Sequence, residues 1–189
     1  MFIRVVDESL ERLLRAELPL PPEVGDISFE QPTGTWSAQL SRLTVNLFLY
    51  DVARSTQPSR APMRRVVDGG RGQRRIPLPM VRLGYLVSAW AGSPRDEHQL
   101  LGEVINRLAG LPGLPDSYLP EPAGASIDLS FGEDEQNRLR DLWTAVGGQL
   151  KASFTLQVHL PADAFDWTAE PPAVSEIVAR TAGLRAPGR

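Results

Sequence analysis

The chain has no cysteine, a single lysine (Lys151) and only two histidines, His98 and His159. Without cysteine there are no disulfides, no thiol nucleophile and no metal site that relies on thiolates. Two histidines in separate elements, with no neighbouring cluster, make a poor case for a metal centre or for a general base with its orienting partner. No stretch approaches the roughly 20 apolar residues that span a bilayer. The opening segment MFIRVVDESLERLLRAEL carries acidic residues where a signal peptide would be unbrokenly apolar, so a soluble, cytoplasmic chain is expected. Nucleophile elbows of the GxSxG type are missing. The GGRG at Gly69 lacks the lysine-Ser/Thr ending and the following helical pattern of a phosphate loop. The near-exclusive use of arginine, beside much Ala, Gly and Pro, reads as compositional bias and carries no function by itself.

What is present describes an ordinary globular chain. With 189 residues, 42% hydrophobic and 23% charged, it is long enough for one domain with a real core. Its net charge of −3 argues against a general nucleic-acid or membrane binder. Val5, Val6, Leu10, Leu13, Leu14 and Leu18 recur at helical spacing, and LPLPPE then stops the helix. DISFE is a short strand candidate, and QPTGTWSAQLSR is a turn followed by a helical turn.

LTVNLFLYDV predicts a central strand with two apolar faces: Val45, Leu47 and Leu49 on one, Phe48, Tyr50 and Val52 on the other. PMVRLGYLVSAWA reads alike, with Leu83, Tyr85, Val87 and Ala89 opposing Leu86 and Trp90. A helix follows Ser93, with Leu100, Leu101, Val104, Ile105 and Leu108 as its stripe. SIDLSF alternates as a half-buried strand. EDEQNRLRDLWTAVGG is a helix ending at Gly147, and ASFTLQVHL is a strand whose wet face carries His159. A short helix is expected at 174–180. Trp36, Trp90 and Trp143 are expected in the core. The sum is an α+β fold: a small, mostly antiparallel sheet with helices packed on it and a long Arg-rich hairpin excursion. One domain is expected at residues 1–160, with 53–79 protruding or flexible and 161–189 a Pro/Ala-rich tail.

The stretch YLVSAWAGSPRDEHQLLG, residues 85–102, poses the sharpest chemical question, because Asp96, Glu97 and His98 resemble acid/base machinery. Each is also what a helix start requires. A serine oxygen at Ser93 accepts a free amide proton, Pro94 fits the first turn, and early carboxylates favour the positive end of the helix dipole. The stretch is expected to be a joint between strand and helix, with no catalytic residue, metal or cofactor. Asp141 and Glu133 to Glu135 read as a solvated helix face and a helix N-terminal turn.

The excursion resists so plain a label. Arg60, Arg64, Arg65, Arg71, Arg74 and Arg75 crowd into residues 60–75, opposed only by Asp68. Three readings stay open: an arm meeting an acidic protein surface, a solvated loop, or a binder of nucleic-acid phosphates. The last is weakened because the segment has no aromatic residue for base stacking.

In chain order, VNLFLYDVARS, the Arg-rich insert, RLGYLVSAWAGSPRDEHQLLGEVINRL, LP and LRDLWTAVGGQLKASFTLQVHL resemble one family. It is the cap, or tail-terminator, family of contractile injection systems, phage-tail-like particles with a sheath around an inner tube. The pattern YLV-AWA…DEH-LLG with a later LW-A-GG…S combines unusual residues from several elements and is no catalytic signature. The resemblance implies a non-enzymatic protein that forms a homohexameric ring, ends inner-tube and sheath polymerisation and holds the two in register. It further implies sheath and tube proteins as partners, no small-molecule substrate, no cofactor and no membrane insertion. Assembly would take place in the cytoplasm, into a particle open to later release. The alternative is a nucleic-acid-binding module acting through loop 60–75. A hydrolase depending on His98 is a distant third.

Overall fold

The computed structural model describes residues 2–59, 62–67, 71–120, 126–132 and 138–170. It divides into two compact units, residues 1–60 with 78–164 and residues 61–77 with 165–189.

The larger unit opens with α1 (Phe2–Glu17), whose Val6, Leu10, Leu13 and Leu14 are fully buried. Each such leucine contributes about 1.5–3 kcal/mol through removal of its apolar surface from water. Strand β1 (Gly25–Ser28) then runs parallel to β2 (Leu43–Arg54). A side chain at Gly25 would collide with Leu20 Cδ1 and meet the Leu43 carbonyl oxygen at 2.6 Å, so this close pairing demands glycine. Between the two strands, the Thr33 hydroxyl caps the single-turn helix α2 (Gly34–Ser37) by accepting from the Trp36 amide.

The excursion carries β3 (Met63–Val67) and β4 (Arg71–Arg75), after which β5 (Met80–Trp90) returns antiparallel to β2. Helix α3 (Pro94–Ala109), β6 (Asp128–Phe131), α4 (Arg138–Ala145) and β7 (Ser153–Pro161) follow. The five strands order as β1-β2-β5-β7-β6, and only the first pair is parallel, in keeping with the expected α+β class. The smaller unit holds a separate sheet, β3-β4-β8, with β8 at Thr168–Ala169.

On one face of the large sheet, Val45, Leu47, Leu83, Tyr85, Val87 and Ala89 form a core with the stripes of α1 and α3. On the other, Leu86 packs with Trp143 and Val146, and Phe48, Tyr50 and Trp90 lean on them. Helix α4 stops where Gly147 takes φ +69°, a conformation that costs glycine little. The expected residues 133–137 at its start, and the expected helix at 174–180, lie outside the described residues.

Two expectations of simple alternation fail. The register of β2 against β5 shifts between Leu49 and Asp51, leaving Tyr50 as an extra residue. Val52 therefore pairs with Leu83 and lies on that residue's face, not with Phe48 and Tyr50. His159 is also not on a wet face. It is buried, and its Nδ1 lies 2.8 Å from the Ser55 hydroxyl. Across the strands it sits in register between Arg82 and Asp128. Burial, and then the neighbouring Arg82 charge, hold the imidazole below its usual pKa, while Asp128 pulls the other way.

Candidate interaction surface

Of the three residues that resembled catalytic machinery, Asp96 and Glu97 are engaged in holding the fold. Ser93 Oγ accepts from the Asp96 amide at 3.3 Å and donates to Asp96 Oδ2 at 2.7 Å, with Pro94 opening the helix. Glu97 points back to the strand end, where its Oε1 is 2.7 Å from Lys151 Nζ. His98 is exposed in the same turn, and Asp141 is exposed on α4. The structure keeps His98 apart from His159, which lies on β7. Among the described residues no group of three His, Asp or Glu side chains could hold a metal ion, and no helix is long and apolar enough to cross a membrane.

Of the three tryptophans expected in the core, only Trp143 is buried there; Trp90 is half-buried against it, and Trp36 is half-buried on α2, outside both cores. Trp143 is buried, its Nε1 donating to Ser153 Oγ at 3.0 Å. Trp90 meets Trp143 at 6.2 Å and Trp36 edge-on at 5.3 Å between ring centroids. Lys151 Nζ caps the group 3.5 Å from the Trp90 ring.

The smaller unit is different in kind. Strands β3 and β4 pair Met63 with Arg75, Arg64 with Arg74, Arg65 with Gln73, Val66 with Gly72 and Val67 with Arg71. Side chains alternate across a strand, so the arginines divide. Arg64 and Arg74 share one face with Val66, whereas Arg65, Arg71 and Arg75 share the other. Arg60 lies outside the described residues.

On the first face two guanidinium groups stand directly opposite one another, an arrangement that weakens a strand pair. Glu170 offsets it in part from beyond β8, reaching Arg64 at 3.0 Å while its amide donates to the Gly72 carbonyl. Arg71 and Arg74 are exposed, and no carboxylate among the described residues pairs with either. Val66, at 76% exposure, and Ile76, at 51%, lie bare among these charges.

On the second face the Arg65 side chain donates to Gln73 Oε1 at 2.9 Å and lies with its guanidinium carbon 4.3 Å from the centre of the Trp167 ring. The Arg75 guanidinium is 5.8 Å from the same ring, and its Nε donates to the Phe165 carbonyl. The tryptophan comes from the chain after β7, where Thr168 and Ala169 pair with Arg74 and Gln73. The segment 60–75 contains no aromatic residue, but the fold supplies one from 92 positions downstream of Arg75. The only local hint was the apolar spacing Phe165-x-Trp167 after the strand. Stacked on an indole, an arginine keeps its outward N–H donors for a carboxylate or phosphate and loses less side-chain freedom on binding one.

Charge is segregated between the units. Residues 61–77 and 165–189 contain eight arginines and four carboxylates, while the larger unit has twelve basic and nineteen acidic residues. The net charge of −3 thus conceals a basic unit and an acidic one.

Comparison with known proteins bears on these features. The family described as the Pvc16 N-terminal domain matches residues 5–176. The sheath/tube terminator of PVC, an extracellular contractile injection system, solved in its extended state, is similar at 26% identity and a TM-score of 0.63. The alignment covers 97% of this chain and 65% of that one. The tube-terminating cap of the anti-feeding prophage shares the fold, with 20% identity, a TM-score of 0.61, and 92% and 60% of the respective chains aligned. This chain spans less than two thirds of the length of either structure. No curated protein matches it.

Proposed function

The chain belongs to the Pvc16 N-terminal domain family, and from that premise we propose that it is a structural cap of a contractile injection system. Six copies close into a ring that ends the inner tube and the sheath and holds the two together. The observation that carries this reading is the similarity to the PVC sheath/tube terminator, which runs along 97% of this chain. The role requires surfaces and no turnover, so it needs neither cofactor nor small-molecule substrate.

Ring closure follows from a heterologous interface. A patch on one copy meets a different patch on the next, and when the rotation closes the series ends at a fixed number. One face of the ring then matches the growing tube end, and the opposite face offers nothing for another layer to stack on. Arg64, Arg65, Arg71, Arg74 and Arg75, with Arg60 beside them in sequence, are assigned to contact with neighbouring protein subunits. Assembly in the cytoplasm is part of the same reading.

Negative-stain imaging of particles from cells with and without the gene tests it. Loss of length control, or particles whose sheath detaches from the tube, is the expected result without the gene. Particles of normal length and stability in its absence would overturn the assignment.

A further inference from the structure

The β3-β4-β8 sheet has one feature that neighbour contact in general does not explain. Among the described residues β3 pairs only with β4, and none of the described strands lies along its outer side. Natural sheets guard such an edge with charge, proline, a bulge or a covering segment, because an open edge with exposed apolar side chains invites another strand. Here Arg64 and Arg65 are adjacent on the edge strand, but Val66 follows them and is the most exposed large apolar side chain among those described. The edge is therefore charged on both faces and, on the face of Val66, apolar as well.

We infer that this edge, with the Trp167-backed arginines beside it, is a docking site for an extended, carboxylate-rich segment of a partner protein, which adds as a further strand alongside Met63–Val67. This inference rests on the reading of the chain as an assembly protein and names the chemistry of one of its contacts. Backbone pairing along β3 supplies the alignment, and alternate side chains of the incoming strand face the two sides of the sheet. On one side acidic residues meet Arg64 and Arg74, and an apolar one meets Val66. On the other side carboxylates meet Arg65, whose guanidinium is already seated on Trp167 and held by Gln73. Planar, preorganised guanidinium groups favour carboxylates through paired hydrogen bonds.

The alternative ligand, a single-stranded nucleic acid, fits less well. Base stacking needs a bare aromatic face, and Arg65 covers the Trp167 ring at 4.3 Å. The exposed Val66 and Ile76 side chains add nothing to phosphate binding, but they suit a peptide strand.

The test measures fluorescence anisotropy of the full chain with a labelled twelve-residue peptide of repeated Glu-Glu-Val, which as an extended strand presents carboxylates and valines on both sides. Three competitors are used: the same composition interrupted by two prolines, a Lys/Val counterpart, and an oligothymidine of twelve nucleotides. The acidic peptide is expected to bind and to weaken as salt rises, while the proline-interrupted and lysine peptides fail. Arg65→Gln combined with Arg74→Gln should reduce affinity about tenfold, the combined effect of two partly exposed ion pairs. Arg65→Lys, which keeps the charge and loses the planar stacking, should fall between. Trp167→Phe is included because it preserves an aromatic ring should Trp167→Ala unfold the sheet, and it should bind more weakly than the unaltered chain.

Equal binding of the proline-interrupted peptide would overturn edge pairing. Tighter binding of the oligothymidine would overturn the choice of a protein partner. Absence of binding to the acidic peptide would overturn the inference outright. None of these outcomes depends on particles, so the inference can fail while imaging still supports a cap, and the reverse.

Discussion

Lys151 Nζ lies 2.7 Å from Glu97 Oε1, with both side chains largely covered. The one lysine of the chain thus binds the segment before β7 to the first turn of α3, and its ammonium also rests on the Trp90 ring. Removal of one partner leaves the other charge partly buried without compensation. Lys151→Ala should therefore destabilise the chain by about 2 kcal/mol. Replacing both residues, Lys151→Ala with Glu97→Gln, should cost less than the sum of the two single changes. Urea unfolding of the four proteins checks this, and strict additivity would show that the pair is uncoupled.

The strand-to-helix joint supplies a second prediction. Ser93→Ala removes the cap on the Asp96 amide and should cost about 1 kcal/mol. His98→Ala, five residues further on at an exposed position, should change stability by less than about 0.5 kcal/mol. It should also leave the particle-capping phenotype intact. A His98→Ala chain that folds normally but fails to support particles would return attention to this turn as a functional site.

Stability should fall as pH drops below about 6.5, the ordinary pKa of histidine. The His159 imidazole is kept neutral by burial and by Arg82, so its pKa lies lower in the folded chain than in the unfolded one. The contribution is complete above the unfolded value. As pH falls toward the folded value, the unfolded chain binds the proton first and is favoured. Denaturation midpoints at pH 7.5, 6.5 and 5.5 should decline in the unaltered chain and decline less in His159→Gln. Parallel curves would place the decline at a group other than His159.

Asp7 titrates with the opposite sign. Burial raises its pKa above the usual carboxylate value, against the pull of a 2.7 Å hydrogen bond donated by the buried Tyr85 hydroxyl. Protonation of Asp7 therefore favours the folded chain as pH falls through that raised value toward 3.8. Tyr85→Phe leaves a half-buried carboxylate without its donor and should cost about 1–2 kcal/mol at neutral pH. Asp7→Asn should remove the acid-side gain, measurable in the same denaturation series.

Helix α1, the β2 and β5 strands and α3 were legible in sequence because each buries a stripe or two whole faces, and that requirement is written in local spacing. Ser93 and Pro94 were legible for a similar reason, since a helix start is solved within four residues. Val52 was not, because a bulge at Tyr50 changes every facing position after it and leaves no periodic trace. Nor was the burial of His159: its polar spacing on β7 is real, but Ser55, Arg82 and Asp128 reach it from three other parts of the chain. The arginine cluster was visible as composition, yet Trp167 joins it only through the pairing of β4 with β8. A strand of two residues gives periodicity almost nothing to detect.

The rarity of lysine gives the Lys151–Glu97 pair a use unrelated to stability. An acylating reagent finds a single side-chain amine in this chain, and that amine is covered by an indole and neutralised by a carboxylate. Its rate of modification is then a clock for the opening of one joint, with no background from a lysine-covered surface. Followed by mass spectrometry before and after assembly, that rate would tell whether incorporation into a larger particle tightens the place where the strand gives way to α3.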